Sequence, residues 1–191
     1  LFAQQSLVEG AENAVLHLLD VSRKLDVITI IGVPVCIGTG LYNCAVVCQH
    51  GTVLGIVPKR FLPNYSEFYE QRWFVSGDDM TEPVEIRYAG NKVTVLPGNH
   101  IFQTSDGVKF GIELCEDVWS PVPPSNSLAL AGADIIFNLS ATDEMLGKNA
   151  YLKRLLAQQS ARLISGYVYS SCGFGESTQD LVYGGNAYIY E

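Results

Sequence analysis

The stretch GIELCEDVW, residues 111–119, sets one thiol, Cys115, among three carboxylates, Glu113, Glu116 and Asp117. The thiolate is the form of cysteine that attacks a carbonyl carbon, and negative neighbours disfavour it. Cys115 is therefore either an inert thiol or a nucleophile served by a cation from elsewhere in the chain. Lys59 is the candidate cation. It follows Ile56, Val57 and Pro58, so its ammonium can be aimed into a pocket instead of bulk water. The competing reading is a solvated lysine at a strand end. Glu70, in the segment after Lys59, either holds that lysine in place or is a plain surface charge.

These side chains need elements to position them. In VKFGIELC (108–115), strand alternation puts Lys109, Gly111, Glu113 and Cys115 on one face and Phe110, Ile112 and Leu114 on the other. Cys115 thus ends a strand just before the proline-rich turn SPVPPSN and a short helix, SLALAGA. Sharp turns after strands are where exposed nucleophiles sit, although a buried structural thiol fits the same pattern. Upstream, apolar residues at steps of three and four predict an amphipathic helix over 1–24. DVITIIGVPV (26–35) is a buried strand, and 42–59 is a hairpin turning at His50-Gly51-Thr52. Residues 60–82 have aromatics without a clean period and read as a long ordered loop with some helix, of the kind that is usually functional. Further strands are expected at 91–97, 100–106, 108–115, 134–140 and 166–171, with a last one in NAYIYE. A long helix over about 143–164 takes Asp143 or Thr142 as its N-cap. Hairpins mixed with strand–helix–strand crossovers predict an α/β (α+β) fold with mixed sheets covered by helices.

Composition bounds the function. The 191 residues suffice for one domain with a sizeable core, and 48% hydrophobic against 17% charged residues is a globular balance. A net charge of −8, with no basic cluster interleaved with aromatics, argues against nucleic acid. No apolar run is long enough for a membrane span. Five cysteines (36, 44, 48, 115, 172) are an odd number and fit free thiols in a reducing compartment, hence a cytoplasmic protein. Their spacing makes no zinc pattern, so no metal is expected, and Cys36, Cys44 and Cys48 read as buried strand residues. His17, His50 and His100 show no pattern tying them to Cys115, which disfavours an unrelated Cys–His hydrolase.

VPKRFLPNYSEFYEQRWF followed by GIELCEDVW resembles the nitrilase (carbon–nitrogen hydrolase) superfamily. Its branch of glutaminase domains from glutamine-dependent NAD+ synthetases is the nearest resemblance. NLSATDEMLGK (138–148) is similar to that branch too, and SSCGFGESTQDLVYGGNA (170–187), with Asn186 where a small residue often stands, resembles a region of the superfamily. The resemblance implies an αββα four-layer sandwich, truncated at both ends. It implies a Glu–Lys–Cys triad in which Cys115 is the nucleophile and Lys59 the cation. The backbone N–H of Glu116 would join Lys59 in holding the oxyanion. Glu70 matches a second glutamate near the lysine, with Glu67 as the fallback. Ser140, Lys148 and Tyr65 are where substrate contacts are expected. The family's general-base glutamate is expected upstream of Leu1, because Glu9 and Glu12 belong to the first helix and read as its solvated face. The implied reaction is glutamine amide hydrolysis through a cysteine thioester, with no cofactor in this domain. ATP and Mg are expected in a synthetase domain of the same polypeptide beyond residue 191, and homo-oligomers are implied. A stand-alone amidase or carbamoylase, and an inactive binding module of the same fold, are the alternatives.

Overall fold

Helix α1 (Gln5–Ser22) buries Val15, Leu19 and Ser22, so of the apolar positions that the three-and-four spacing picks out Val15 and Leu19 face the core while Leu18 and Val21 stay exposed. The computed structural model describes residues 4–177 and 181–191. The start of the expected helix, and Thr178, Gln179 and Asp180 of the 170–187 stretch, lie outside the described residues. The chain divides into two compact units, Leu1–Gly98 and Asn99–Glu191.

In the first unit α1 precedes an antiparallel meander of β1 (Thr29–Ile37), β2 (Gly40–Gln49) and β3 (Thr52–Pro58). The β2–β3 loop is His50-Gly51, both left-handed at φ 49° and 76°, the two-residue geometry that matches strand twist. A second hairpin, β4 (Val84–Tyr88) and β5 (Asn91–Val95), turns on Ala89-Gly90 in the same way. Its first strand escapes the sequence reading, which has only the second. Between the hairpins, residues 60–82 hold two 3₁₀ turns, Glu70–Arg72 and Gly77–Asp79, as the expected loop with some helix. Val15, Leu19, Val35, Cys44, Val46, Ile56, Tyr88 and Val95 belong to one core.

Two expectations fail in this unit. Cys36 is exposed, not buried, because the alternation of β1 turns Val35 and Ile37 inward and Cys36 outward. Glu12 is more than a solvated helix charge, because its carboxylate accepts a hydrogen bond from the Ala89 N–H at 2.8 Å and ties α1 to the β4–β5 turn.

The second unit is a five-stranded mixed sheet. In chain order it runs β6 (Ile101–Gln103), β7 (Lys109–Leu114), α2 (Pro124–Leu130), β8 (Ile135–Ser140), α3 (Lys148–Leu163), β9 (Gly166–Ser171) and β10 (Ala187–Tyr190). The spatial order is β10-β9-β8-β7-β6, with β7, β8 and β9 parallel and the two outer strands antiparallel. Helices α2 and α3 are the crossovers that parallel neighbours require. Leu128, Leu152 and Leu156 pack against Ile136, Tyr167 and Tyr169 in one core, each leucine contributing roughly 2 kcal/mol by burial. Gly111 admits this packing, since a Cβ there would lie 2.7 Å from a Leu128 methyl.

Both helices start elsewhere than expected. Helix α2 begins at Pro124, with a proline whose missing N–H costs nothing in the first turn. Helix α3 begins at Lys148 after a left-handed Gly147, and neither Thr142 nor Asp143 caps it. Their side chains are engaged elsewhere, as described below. Among the described residues no helix is long and apolar enough to cross a membrane.

Candidate active site

In the first unit Lys59 follows β3 directly. Its N–H donates to Asn43 O, and its own carbonyl accepts from Gly77 N–H, both at 2.8 Å. Gly77 cannot be larger without crowding these atoms, since its Cβ would lie 3.0 Å from Pro58 O and 3.1 Å from Lys59 O. The Lys59 side chain is 1% exposed, and its Nζ donates to both oxygens of Glu70 at 2.8 Å. Lys59 is therefore buried and paired, not solvated, and Glu70 is its partner. Glu70 is held in turn: its N–H donates to Pro63 O at 3.0 Å. Tyr65, an expected substrate contact, is exposed and meets Phe68 edge-on at 5.9 Å.

In the second unit Cys115 follows β7 and opens a 3₁₀ turn, Cys115–Trp119. The backbone changes abruptly there: Leu114 is extended, and Cys115 is left-handed at φ 47°. A non-glycine residue held left-handed is a strained position that its surroundings must enforce. One enforcing contact is the buried Asp117 carboxylate, which accepts the Leu114 N–H at 2.8 Å across the bend. The expected alternation of β7 holds, since Gly111 meets Leu128 and Glu113 meets Ser125, both on the α2 side.

Asp117 and Glu113, both flanking the thiol, are held by contacts of their own. Asp117 holds the bend. Glu113 is 1% exposed and accepts the Tyr167 hydroxyl and, at 2.8 Å, the Ser125 N–H. Burial raises the Glu113 carboxyl above its ordinary range, and the hydrogen bonds from Tyr167, Ser125 and Asn138 partly offset that rise.

The surroundings of Cys115 come from the carboxyl ends of the other parallel strands, where open α/β sheets form their crevices. Ser140 ends β8, and Thr142 and Asp143 follow it. Ser171 ends β9, and the Cys172 N–H donates to Ser140 O at 3.0 Å. The Tyr169 hydroxyl lies 2.6 Å from Thr142 Oγ1. Burial pushes that hydroxyl up, hydrogen bonds with Ser140, Thr142 and Ser171 draw it back, and negative charge on Cys115 adds to the rise. Charge on Cys115 also raises Cys172 and Tyr183, behind burial as the main cause in both. Cys115, Tyr169, Cys172 and Tyr183 therefore share one electrostatic neighbourhood.

Ser140 is half-buried at this edge, and its hydroxyl donates to Asn138 Oδ1 at 2.7 Å. Lys148 pairs with Asp143 and lies over the Trp119 ring, 5.9 Å from its centroid. Trp119 in turn stacks on Tyr151 at 5.6 Å. Sequence reasoning missed Asn138, Tyr167 and Tyr169. The available signal was period two: polar or hydroxylated residues recur at inward positions of β8 and β9, beside buried Ile136 and Leu156.

The profile of the family described as "Carbon-nitrogen hydrolase" matches residues 2–191. The glutamine-dependent NAD(+) synthetase of Mycobacterium tuberculosis (strain ATCC 25618 / H37Rv) is 42% identical over 191 residues, covering 98% of this chain and 28% of that protein. The protein of the same description from Aquifex aeolicus is 30% identical over 189 residues, 99% of this chain and 29% of its own. The chain thus spans under a third of the length of these relatives. The glutamine-dependent NAD+ synthetase structure from Acinetobacter baumannii superposes with a TM-score of 0.81 at 25% identity, over 100% of this chain and 31% of that one. A Nesterenkonia amidase of the nitrilase superfamily superposes with a TM-score of 0.68 at 17% identity, over 97% of this chain and 61% of that one, a likeness of fold. The expected nitrilase-type α+β fold is the observed one.

Proposed function

This chain belongs to the carbon–nitrogen hydrolase family, and on that premise we propose that it is the glutamine-hydrolysing part of a glutamine-dependent NAD+ synthetase. The observation that carries a nucleophilic role is the left-handed, half-buried Cys115 directly after β7, an elbow geometry suited to acyl transfer. The likeness to glutamine-dependent synthetases across 98% of the chain supports glutamine as the substrate.

In this reading Cys115 is deprotonated and its thiolate attacks the side-chain amide carbon of glutamine. Glu113 and Asp117 are engaged with Tyr167, Ser125 and the Leu114 N–H, so neither of these two carboxylates is assigned as the accepting base. The carbonyl oxygen becomes an oxyanion, to which the Glu116 N–H and the Lys59 ammonium are assigned as donors. One such donor contributes roughly 3 kcal/mol to the transition state, a factor of ~10²–10³. Collapse expels the amide nitrogen, which takes the base's proton and leaves as ammonia. Water then attacks the glutamyl thioester, releasing glutamate and restoring the thiol. Glu70 orients Lys59 by their ion pair. Ser140, Lys148 and Tyr65 are assigned to glutamine's polar ends. No step calls for a metal or cofactor in this domain. The ammonia is delivered to an ATP- and Mg-dependent synthetase domain of the same polypeptide, in a cytoplasmic homo-oligomer.

The test is Cys115→Ala in the full-length protein. NAD+ formation from glutamine should fall by roughly 10³-fold or more, while formation from free ammonia persists. Loss of both activities would make Cys115 a structural thiol, and survival of the glutamine-driven activity would end the reading.

A further inference from the structure

Glu113 is buried, charged in its ionised form, and not used in the chemistry above. Its partners form a chain leading back to the crevice. The Tyr167 hydroxyl donates to Glu113. Asn138 Nδ2 donates to the Tyr167 hydroxyl at 3.2 Å. The Ser140 hydroxyl donates to Asn138 Oδ1 at 2.7 Å. Glu113 and Asn138 are 1% exposed and Tyr167 is fully buried, whereas Ser140 is half-buried at the carboxyl edge.

Hydrogen-bond valence fixes the direction of this chain. The Glu113 carboxylate accepts the single hydrogen of Tyr167. The Tyr167 oxygen can then only accept, which demands the amide nitrogen of Asn138. That choice turns Asn138 Oδ1 toward Ser140, whose single hydrogen is consumed in turn. Ser125 secures the sink from the other side: its N–H donates to Glu113, and its hydroxyl oxygen accepts from Gln159 Nε2 at 2.8 Å. The Ser140 oxygen is left with lone pairs alone. The Tyr169 hydroxyl lies close by, among Ser140, Thr142 and Ser171.

We propose that Glu113, Tyr167 and Asn138 are positioning residues whose one-way hydrogen-bond chain makes Ser140 an obligate acceptor at the crevice, selecting a substrate that presents an N–H donor there. For glutamine, that donor is its α-ammonium and not its α-carboxylate. The inference rests on the glutaminase reading and adds the polarity of its amino-group subsite. A chain of neutral, freely rotating hydroxyls could serve either polarity. A chain terminated by a buried carboxylate cannot, because reversing it would leave that carboxylate facing an oxygen without a hydrogen.

The experiment uses the full-length protein and two substrates, glutamine and glutaramate, which is glutamine without its α-amino group. Ammonia release is measured for wild type, Tyr167→Phe, Ser140→Ala and the double variant, with thermal melting and ammonia-driven NAD+ synthesis as controls of folding. Wild type should prefer glutamine by at least about ten-fold in kcat/KM. Tyr167→Phe, which cuts the chain two hydrogen bonds away from the Ser140 hydroxyl, should raise KM for glutamine about ten-fold, more than it lowers kcat, and erase most of that preference. Ser140→Ala should do the same, and the double variant should be no worse than Ser140→Ala, because both changes remove one property. If Tyr167→Phe fails to fold, Glu113→Gln takes its place: it keeps the shape but lets the chain reverse, should lose most of the glutamine preference, and overturns the proposal if, folded, it keeps it. A folded Tyr167→Phe or Ser140→Ala that keeps the glutamine preference overturns the proposal while leaving the glutaminase reading intact. A wild-type protein that releases no ammonia from glutamine overturns the reading beneath it.

Discussion

Lys59 and Glu70 form an ion pair in which one ammonium, 1% exposed, is 2.8 Å from both oxygens of one carboxylate. The pair closes the 60–82 loop on the end of β3. Glu70→Gln keeps the shape and removes the charge, leaving a buried ammonium without its anion. The expected destabilisation is about 3 kcal/mol in urea unfolding, the range for breaking one side of a buried pair. Lys59→Met combined with Glu70→Gln should recover most of that loss, since no unpaired charge remains. A Glu70→Gln cost below about 0.5 kcal/mol would show that the pair does not hold the loop.

The bend at Cys115 makes a prediction about stability apart from chemistry. A left-handed backbone disfavours any residue with a Cβ by about 1–2 kcal/mol, and glycine avoids this while adding about 0.5–1 kcal/mol of unfolded-chain entropy. Cys115→Gly should therefore be more stable than Cys115→Ala by about 0.5–1 kcal/mol, read from paired thermal melts. An alanine variant as stable as the glycine one would mean that the elbow carries no strain.

The cysteines should separate by alkylation. Cys36 is exposed, whereas Cys44 and Cys48 are 0% and 3% exposed. Burial pushes the Cys48 thiol up to about 11 and Cys44 higher still. At pH 8 only about one Cys48 in a thousand is then a thiolate, even before access is considered. Iodoacetamide followed by mass mapping should label Cys36 in the native protein, and Cys44 and Cys48 only after denaturation. Native labelling of Cys44 would contradict the packing of the first core.

The alternation of VKFGIELC was enough to set Gly111 and Glu113 on one face and to end the strand at the thiol, because a strand's period is a local property; at Cys115 itself the left-handed backbone breaks that period. The Lys59–Glu70 pair was one of two readings that local sequence left open, since burial decides it and burial is not local. Thr142 and Asp143 have the right chemistry for an N-cap, yet Thr142 meets Tyr169 and Asp143 meets Lys148, so tertiary partners override the capping preference. Cys36 sits in an apolar stretch that reads as buried throughout, yet the period of β1 turns Val35 and Ile37 inward and leaves it exposed. The chain from Ser140 to Glu113 was illegible for a simpler reason. Asn138, Tyr167 and Glu113 lie on three different strands, and only the β7–β8–β9 register brings them together.

That register also dictates when the thiol acquires its surroundings. Each parallel neighbour of β7 arrives only after a helical detour, first α2 and then α3, so the sheet grows by long-range closures that are slow compared with hairpin zipping. During synthesis, a chain that has emerged as far as Ile164 already carries Cys115, Ser140 and Thr142 but lacks Tyr169, Ser171 and Cys172. The sulfur therefore spends the early life of the polypeptide without the groups that later border it, and its chemical environment is complete only when β9 and the segment after it, with Tyr183, have docked.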